Sequence, residues 1–118
     1  MILPDAQSST PTPTEPDRRR HPRYTVQVQV EIRQEGNNLP MRLETTDLSR
    51  GGCYIELITA LPLCARVQLT LWLGGYPVAI QGRVVTRHPQ FGNGIMFVEF
   101  EGQGEQLLTR YLDAITTS

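Results

Sequence analysis

Apolar and polar residues alternate over much of this sequence, and the alternation limits the folds that are open to it. The clearest example has an apolar residue at every second position: Val26, Val28, Val30 and Ile32. Because successive side chains of a β-strand point to opposite faces, such a segment has one buried face and one face in water. The sequence therefore predicts antiparallel strands that pack one face against a core.

Turn-forming residues divide the chain into six such segments. The predicted strands lie at residues 26–33, 39–44, 53–57, 67–73, 77–87 and 95–100. Gly36-Asn37-Asn38 and Gly74-Gly75 are predicted to close two hairpins. Gly92-Asn93-Gly94 is predicted to form a turn before the last strand, because these residues tolerate positive φ.

The hydrophobic period changes near the end of the chain. A helical stripe is formed by Leu107, Leu108, Tyr111, Leu112 and Ile115, which predicts an amphipathic helix over 105–115 that caps the sheet. Six consecutive short strands with one wet face are best closed into a barrel, which removes exposed strand edges. The expected fold is mainly β: a six-stranded antiparallel β-barrel with a C-terminal α-helix.

The first residues have a different composition from the rest. Residues 7–16 are mostly Ser, Thr and Pro, and such a segment cannot bury enough apolar surface to offset its ordering entropy. We expect a flexible tail over 1–16 and a single barrel domain over 17–118, since the 118 residues leave no room for a second domain.

Several functional classes are disfavoured by composition. The net charge of −1 gives no global basic field for nucleic acid, and no apolar run reaches the ~18 residues that would cross a bilayer, so a cytoplasmic location is expected. Cys53 and Cys64 form no C-x-x-C motif. His21 and His88 lack a second ligand at metal spacing, so neither a metal nor a cofactor is expected.

Two polar segments are expected to meet at one end of the barrel. Four arginines fall just before the first strand, at Arg18, Arg19, Arg20 and Arg23, and the segment Asp47–Gly52 follows the second strand. A tight turn at Asn37-Asn38 pairs positions whose numbers add to about 75, which would place Tyr24 near Gly51. The hairpin would therefore carry both segments into one small site.

The chemistry of these residues suits a guanine nucleotide. Arginine guanidinium groups can bind phosphate oxygens or the O6/N7 edge of guanine, and the Asp47 carboxylate can accept the protons of guanine N1 and N2. Ser49 adds a hydroxyl that donates and accepts. Gly51 and Gly52 would allow a ligand to approach the backbone closely.

Both segments resemble the signature motifs of the PilZ domain family, whose members bind cyclic di-GMP. Arg19-Arg20-His21-Pro22-Arg23 matches the pattern Arg-x-x-x-Arg, and Asp47-Leu48-Ser49-Arg50-Gly51-Gly52 matches Asp/Asn-x-Ser-x-x-Gly. The two occur in the family's order on either side of a predicted hairpin, within a chain of suitable length. By pattern, the resemblance covers about residues 17–115.

The resemblance implies a bacterial second-messenger receptor without catalytic activity. Arg19 and Arg23 would bind a ligand dimer or monomer through guanine edges and phosphates, and Asp47, Ser49 and Gly52 would contact or frame its other side. The pattern does not require Arg18 or Arg20, which would add phosphate contacts. We expect the ligand to order residues 18–23 against the barrel and so to create a surface for an unidentified protein partner.

Two other functions use the same features. A small barrel with a basic arm could bind single-stranded nucleic acid, although the body is not basic and its strands lack an exposed aromatic row. A module that binds only protein is the other alternative, and the intact pair of motifs argues against it. Hydrolysis is disfavoured, because nothing in the sequence indicates a nucleophile elbow or an oxyanion hole beside Asp47 and Ser49.

Overall fold

The structure, a computed structural model, describes residues 21–117 and contains six strands and one helix. The elements in chain order are β1 (Gln29–Gln34), β2 (Met41–Leu48), β3 (Gly52–Glu56), β4 (Arg66–Leu73), β5 (Tyr76–His88), β6 (Gly92–Phe100) and α1 (Gly104–Thr117). The predicted fold class is confirmed. The predicted tail at 1–16 lies outside the described residues.

The six strands close into a barrel in which every neighbouring pair is antiparallel. The order around the barrel is β1-β2-β3-β6-β5-β4, and β1 pairs with β4 to complete the ring. Closure leaves every strand with a partner on both sides, as expected for a small barrel without exposed edges. Both hairpins predicted from the turn residues, β1–β2 and β4–β5, are present.

The first hairpin differs from the prediction in its register and in the start of its first strand. Its turn joins the Gln34 carbonyl to the Asn37 N–H at 2.9 Å, so the turn is centred earlier than the predicted Asn37-Asn38. Strand β1 begins at Gln29 instead of Val26. Strand β2 extends to Leu48, beyond the predicted end at residue 44.

A side chain explains the late start of β1. The Thr45 hydroxyl accepts a hydrogen bond from the Val28 N–H at 3.0 Å and donates one to the Val26 carbonyl at 2.8 Å. The backbone bond from the Thr45 N–H to the Val28 carbonyl remains, at 2.9 Å, so the hydroxyl replaces only part of the ladder. Residues 26–28 therefore follow β2 without regular strand geometry, and Thr45 itself is completely buried.

The prediction that Gly92-Asn93-Gly94 forms a turn is wrong. These residues belong to β6 and pair with both β3 and β5, while the turn lies at 88–91, closed by a 2.9 Å hydrogen bond from the Phe91 N–H to the His88 carbonyl. Asn93 is completely buried, and its amide bonds the backbone of Leu61 on both sides. The polar side chain of Asn93 therefore anchors the connection between β3 and β4.

The barrel interior is filled from the inward faces of all six strands. Helix α1 packs on β5 and β4 and buries Leu108 and Leu112 in the same core, as predicted. A Cβ atom added at Gly104 would lie 2.8 Å from Val78 Cγ1, so the start of the helix lies too close to β5 for a side chain. No helix within residues 21–117 is long and apolar enough to span a bilayer.

Candidate functional site

The two polar segments meet at the end of the barrel where β2 ends and β3 begins. Tyr24 and Leu48 form an isolated antiparallel bridge, with the N–H of each donating to the carbonyl of the other at 2.9 Å. This bridge places Arg23 beside the end of β2. The predicted convergence is confirmed for Arg23, although Tyr24 pairs with Leu48 instead of lying opposite Gly51.

We call the group formed by Arg23, Asp47, Ser49, Gly51 and Gly52 the motif corner. Arg23 Nη1 lies 3.9 Å from Asp47 Oδ2, and the two side chains are 48% and 26% exposed. That distance is too long for a hydrogen bond, and an exposed ion pair of this kind contributes little to stability. Both groups therefore keep their hydrogen-bonding capacity.

Ser49 shapes the turn of the motif corner. Its Oγ accepts hydrogen bonds from the N–H groups of Gly51 and Gly52, both at 3.1 Å, and its own N–H donates to the Gly52 carbonyl at 2.8 Å. The side chain is buried, with 8% of its surface exposed. Ser49 thus frames the site by fixing the backbone beside Asp47.

The two glycines of the motif corner are needed for close packing. A Cβ atom on Gly52 would lie 2.1 Å from the Ile95 carbonyl oxygen, because β6 passes directly against it. A Cβ atom on Gly51 would lie 3.2 Å from His21 Cδ2. The His21 ring, which the sequence did not mark as a site residue, therefore packs over the turn and joins the two motifs.

Asp47 also influences a buried thiol. Burial, and to a smaller extent the charge of Asp47, raises the pKa of Cys53 to about 12. At neutral pH Cys53 is therefore a protonated core residue that packs beneath the site, and it is a poor nucleophile because the thiolate is the reactive form.

A row of outward-facing residues continues from the motif corner around the barrel wall. Gly52 pairs with Met96 on β6, Met96 with Arg83 on β5, and Arg83 with Arg66 on β4. Met96 is 44% exposed. The sequence held a signal for this surface, because Met96 and Val98 make β6 apolar on its outer face as well as its inner one.

The structure describes only some of the remaining predicted residues. Arg18, Arg19 and Arg20 lie outside the described residues, so Arg23 is the one predicted arginine that the described part of the chain places. Within residues 21–117, no group of three or more His, Cys, Asp and Glu side chains is arranged to hold a metal ion. The chemistry available in the motif corner is thus one guanidinium, one carboxylate and a turn rich in backbone N–H groups, and Arg50 of the second motif adds an exposed guanidinium beside it.

Comparison with known proteins agrees with the motifs. The family model of the PilZ domain matches residues 17–114. None of the curated proteins matches the sequence significantly.

Several solved structures share the fold at low sequence identity. The PilZ domain of CeSA from a cellulose-synthesizing bacterium is 19% identical, with a TM-score of 0.62 over 80% of this chain and 97% of that one. The Bacillus subtilis inhibitor of motility MotI/DgrA is 16% identical, with a TM-score of 0.71 over 86% of this chain and 53% of that one. The PilZ domain of Escherichia coli YcgR, solved with cyclic di-GMP, is 18% identical, with a TM-score of 0.56 over 86% of this chain and 91% of that one.

Proposed function

The chain belongs to the PilZ domain family, and on that premise we propose that it is a receptor for cyclic di-GMP that acts by binding the ligand and reporting it to a protein partner. The observation that carries the proposal is the Tyr24–Leu48 bridge, which holds Arg23 3.9 Å from Asp47. Residues that are 24 positions apart in sequence thereby form one polar corner.

The proposed contacts follow from the chemistry of guanine and phosphate. Arg23, together with Arg19, binds phosphate oxygens and the O6/N7 edge of a guanine base, and the Asp47 carboxylate accepts from guanine N1 and N2. Ser49 and Gly52 hold the turn in shape, and the backbone at Gly51 borders the ligand. Arg18 and Arg20 add phosphate contacts.

The number of contacts is sufficient for a useful affinity. A micromolar complex requires about −8 kcal/mol, and one good bidentate arginine contact with guanine contributes ~1–3 kcal/mol of discrimination. Two arginines and an aspartate reach this range if the segment that carries them costs little to order. The bridge at Tyr24 supports this condition, since the chain is already fixed one residue after Arg23.

Signalling is proposed to use the same segment. Cyclic di-GMP would fix residues 18–23 against the barrel wall beside the motif corner, and the new surface would be recognised by the partner. The packing of His21 over Gly51 supports this arrangement, because the segment already touches the turn at that point. The E. coli YcgR domain solved with cyclic di-GMP and the B. subtilis inhibitor of motility have this barrel fold, which is compatible with ligand sensing that acts on other proteins.

Isothermal titration calorimetry with cyclic di-GMP tests the function. The wild type is expected to bind, and Arg23→Ala or Asp47→Ala is expected to lose at least tenfold in affinity, since each removes charge-assisted hydrogen bonds worth about 1.5–3 kcal/mol. Arg42→Ala and Glu44→Ala are matched controls, because both residues are exposed on β2 away from the motif corner. Circular dichroism verifies that all variants are folded.

Two results would contradict the proposal. One is a wild type that gives no binding heat over the whole titration. The other is a pair of folded motif variants that bind as tightly as Arg42→Ala and Glu44→Ala, which would place the ligand elsewhere.

A further inference from the structure

Cyclic di-GMP carries two guanine bases and two phosphates, and the contacts proposed above use phosphates and guanine edges, so that no motif residue covers the face of a base. Arg23 and Asp47 together can satisfy the edge of one base and an adjoining phosphate. Resting on the proposed function, we propose that the site continues across β6 to β5, where Met96 packs on the face of the second guanine and Arg83 binds a phosphate.

The strand register places these residues beside the motif corner. Gly52 is the cross-strand partner of Met96, and Met96 is the partner of Arg83. Neighbouring strands are about 4.8 Å apart, so the row from Gly52 to Arg83 spans roughly 10 Å on the outer wall of the barrel. A ligand bound at Asp47 can extend along the outer surface of the barrel to this part of the wall without crossing the end of a strand.

The environment of Met96 suits the face of a base. Ile95 and Phe97, on either side of it along β6, point into the core, whereas Met96 is 44% exposed on the outer wall. Its cross-strand neighbour Gly52 contributes no side chain that would cover the thioether. Methionine sulfur makes favourable contacts with aromatic rings, which explains an exposed apolar residue at this position.

The other direction from Asp47 is less suitable for a second base. Its cross-strand partner on β3 is Tyr54, whose hydroxyl shares a 2.9 Å hydrogen bond with His88 Nδ1, and the two rings are tilted against each other at 5.9 Å. A guanine there would have to displace this contact. Arg83, the cross-strand partner of Met96, instead borders an open groove of about 280 Å³, which Glu35, Arg66 and Val98 also line and which Met96 does not reach.

Nuclear magnetic resonance of methyl-labelled methionine tests the extension on the wild-type protein. A guanine stacked on Met96 should move its methyl signal upfield through the ring current. Met41, at the start of β2 near the far end of the barrel, is the internal control and should not move. The signals are assigned with the Met41→Leu and Met96→Leu variants.

Calorimetry tests the same extension by measuring the affinity of variants for cyclic di-GMP. Met96→Ala and Arg83→Ala are each expected to weaken cyclic di-GMP binding by roughly 3- to 10-fold, the range expected for one sulfur–aromatic or one charged contact. Leu39→Ala, which truncates a residue that is 76% exposed in the first hairpin turn, is the matched control and should bind as the wild type does.

The outcomes separate this inference from the proposed function. If the wild type binds and Arg23→Ala does not, but the Met96 methyl stays in place and Met96→Ala binds normally, only the extension is overturned. Equal shifts of Met41 and Met96 would also overturn it, because they would indicate a global rearrangement. An absence of binding by the wild type overturns the proposed function itself.

Discussion

Polar residues of one short motif have different physical roles in this barrel. Asp47 is 26% exposed and keeps its carboxylate at the surface, whereas Ser49 is buried and bonds its own turn. In the proposed site the first contacts the ligand directly, and the second supports that contact by fixing the backbone. Sequence alone did not separate these roles, because hydroxyl and carboxylate groups both suit a nucleotide site.

The buried thiol of Cys53 leads to a prediction about a single residue. Its pKa is raised from 9.0 to about 12, first by burial and then by Asp47. The unfolded thiol therefore loses its proton at a lower pH than the folded one, so this group's contribution to stability is complete below pH 9 and is lost as the pH rises towards 12. We expect the melting temperature of the wild type to fall more steeply above pH 9 than that of Cys53→Ala.

The control for this prediction is the second thiol. Cys64 is exposed, so Cys64→Ser should leave the alkaline dependence of the melting temperature unchanged. Parallel alkaline melting curves for the wild type and Cys53→Ala would refute the prediction.

At the scale of elements, the approach of the chain to β1 decides where the first motif lies. Residues 26–28 are held to β2 by the Thr45 hydroxyl and by the backbone bond from the Thr45 N–H to the Val28 carbonyl, and Tyr24 is held by its bridge to Leu48. The position of Arg23 thus depends on a buried side chain that makes no contact with it.

A substitution at Thr45 is therefore expected to weaken ligand binding at Arg23, although the two residues are not in contact. Thr45→Val keeps the shape of the side chain but removes both hydrogen bonds, leaving the Val28 N–H and the Val26 carbonyl without that partner. We expect a loss of about 1–3 kcal/mol in the free energy of unfolding, measured by urea denaturation, and a weaker affinity for cyclic di-GMP in calorimetry at a temperature where the variant is folded.

Thr70→Val is the matched control, since Thr70 lies half-buried on the outer side of β4 and is expected to leave affinity unchanged. A Thr45→Val variant with wild-type stability would show that the hydroxyl is not needed to hold the segment.

The sequence predicted the six strands, the helix and the meeting of the motifs, because alternation and turn residues are local signals. It did not predict the start of β1 or of β6. Both depend on buried polar side chains, Thr45 and Asn93, whose partners are distant in sequence. His21 and Met96 were missed for the same reason, since their neighbours at Gly51 and Gly52 are set by tertiary packing.

At the scale of the whole molecule, closure of the barrel is what brings the parts of the proposed site together. Strands β2, β3 and β6 are neighbours in the closed ring, so the corner made by the motifs and the outer wall at Met96 form one continuous surface. Helix α1 packs mainly on β5 and β4, and its first turns line a pocket together with Arg50, beside the motif corner. A fold with the same hairpins but a different strand order would separate these parts.

The most direct test of a single shared site is a titration of the ¹⁵N-labelled wild type with cyclic di-GMP, followed by amide NMR signals. We expect saturable shifts at residues 23–24 and 47–52, and both segments should follow one dissociation constant, because one ligand bridges them. Signals at the opposite end, around 88–91, should move little. Saturable shifts confined to one of the two segments, or concentrated at 88–91, would contradict the account.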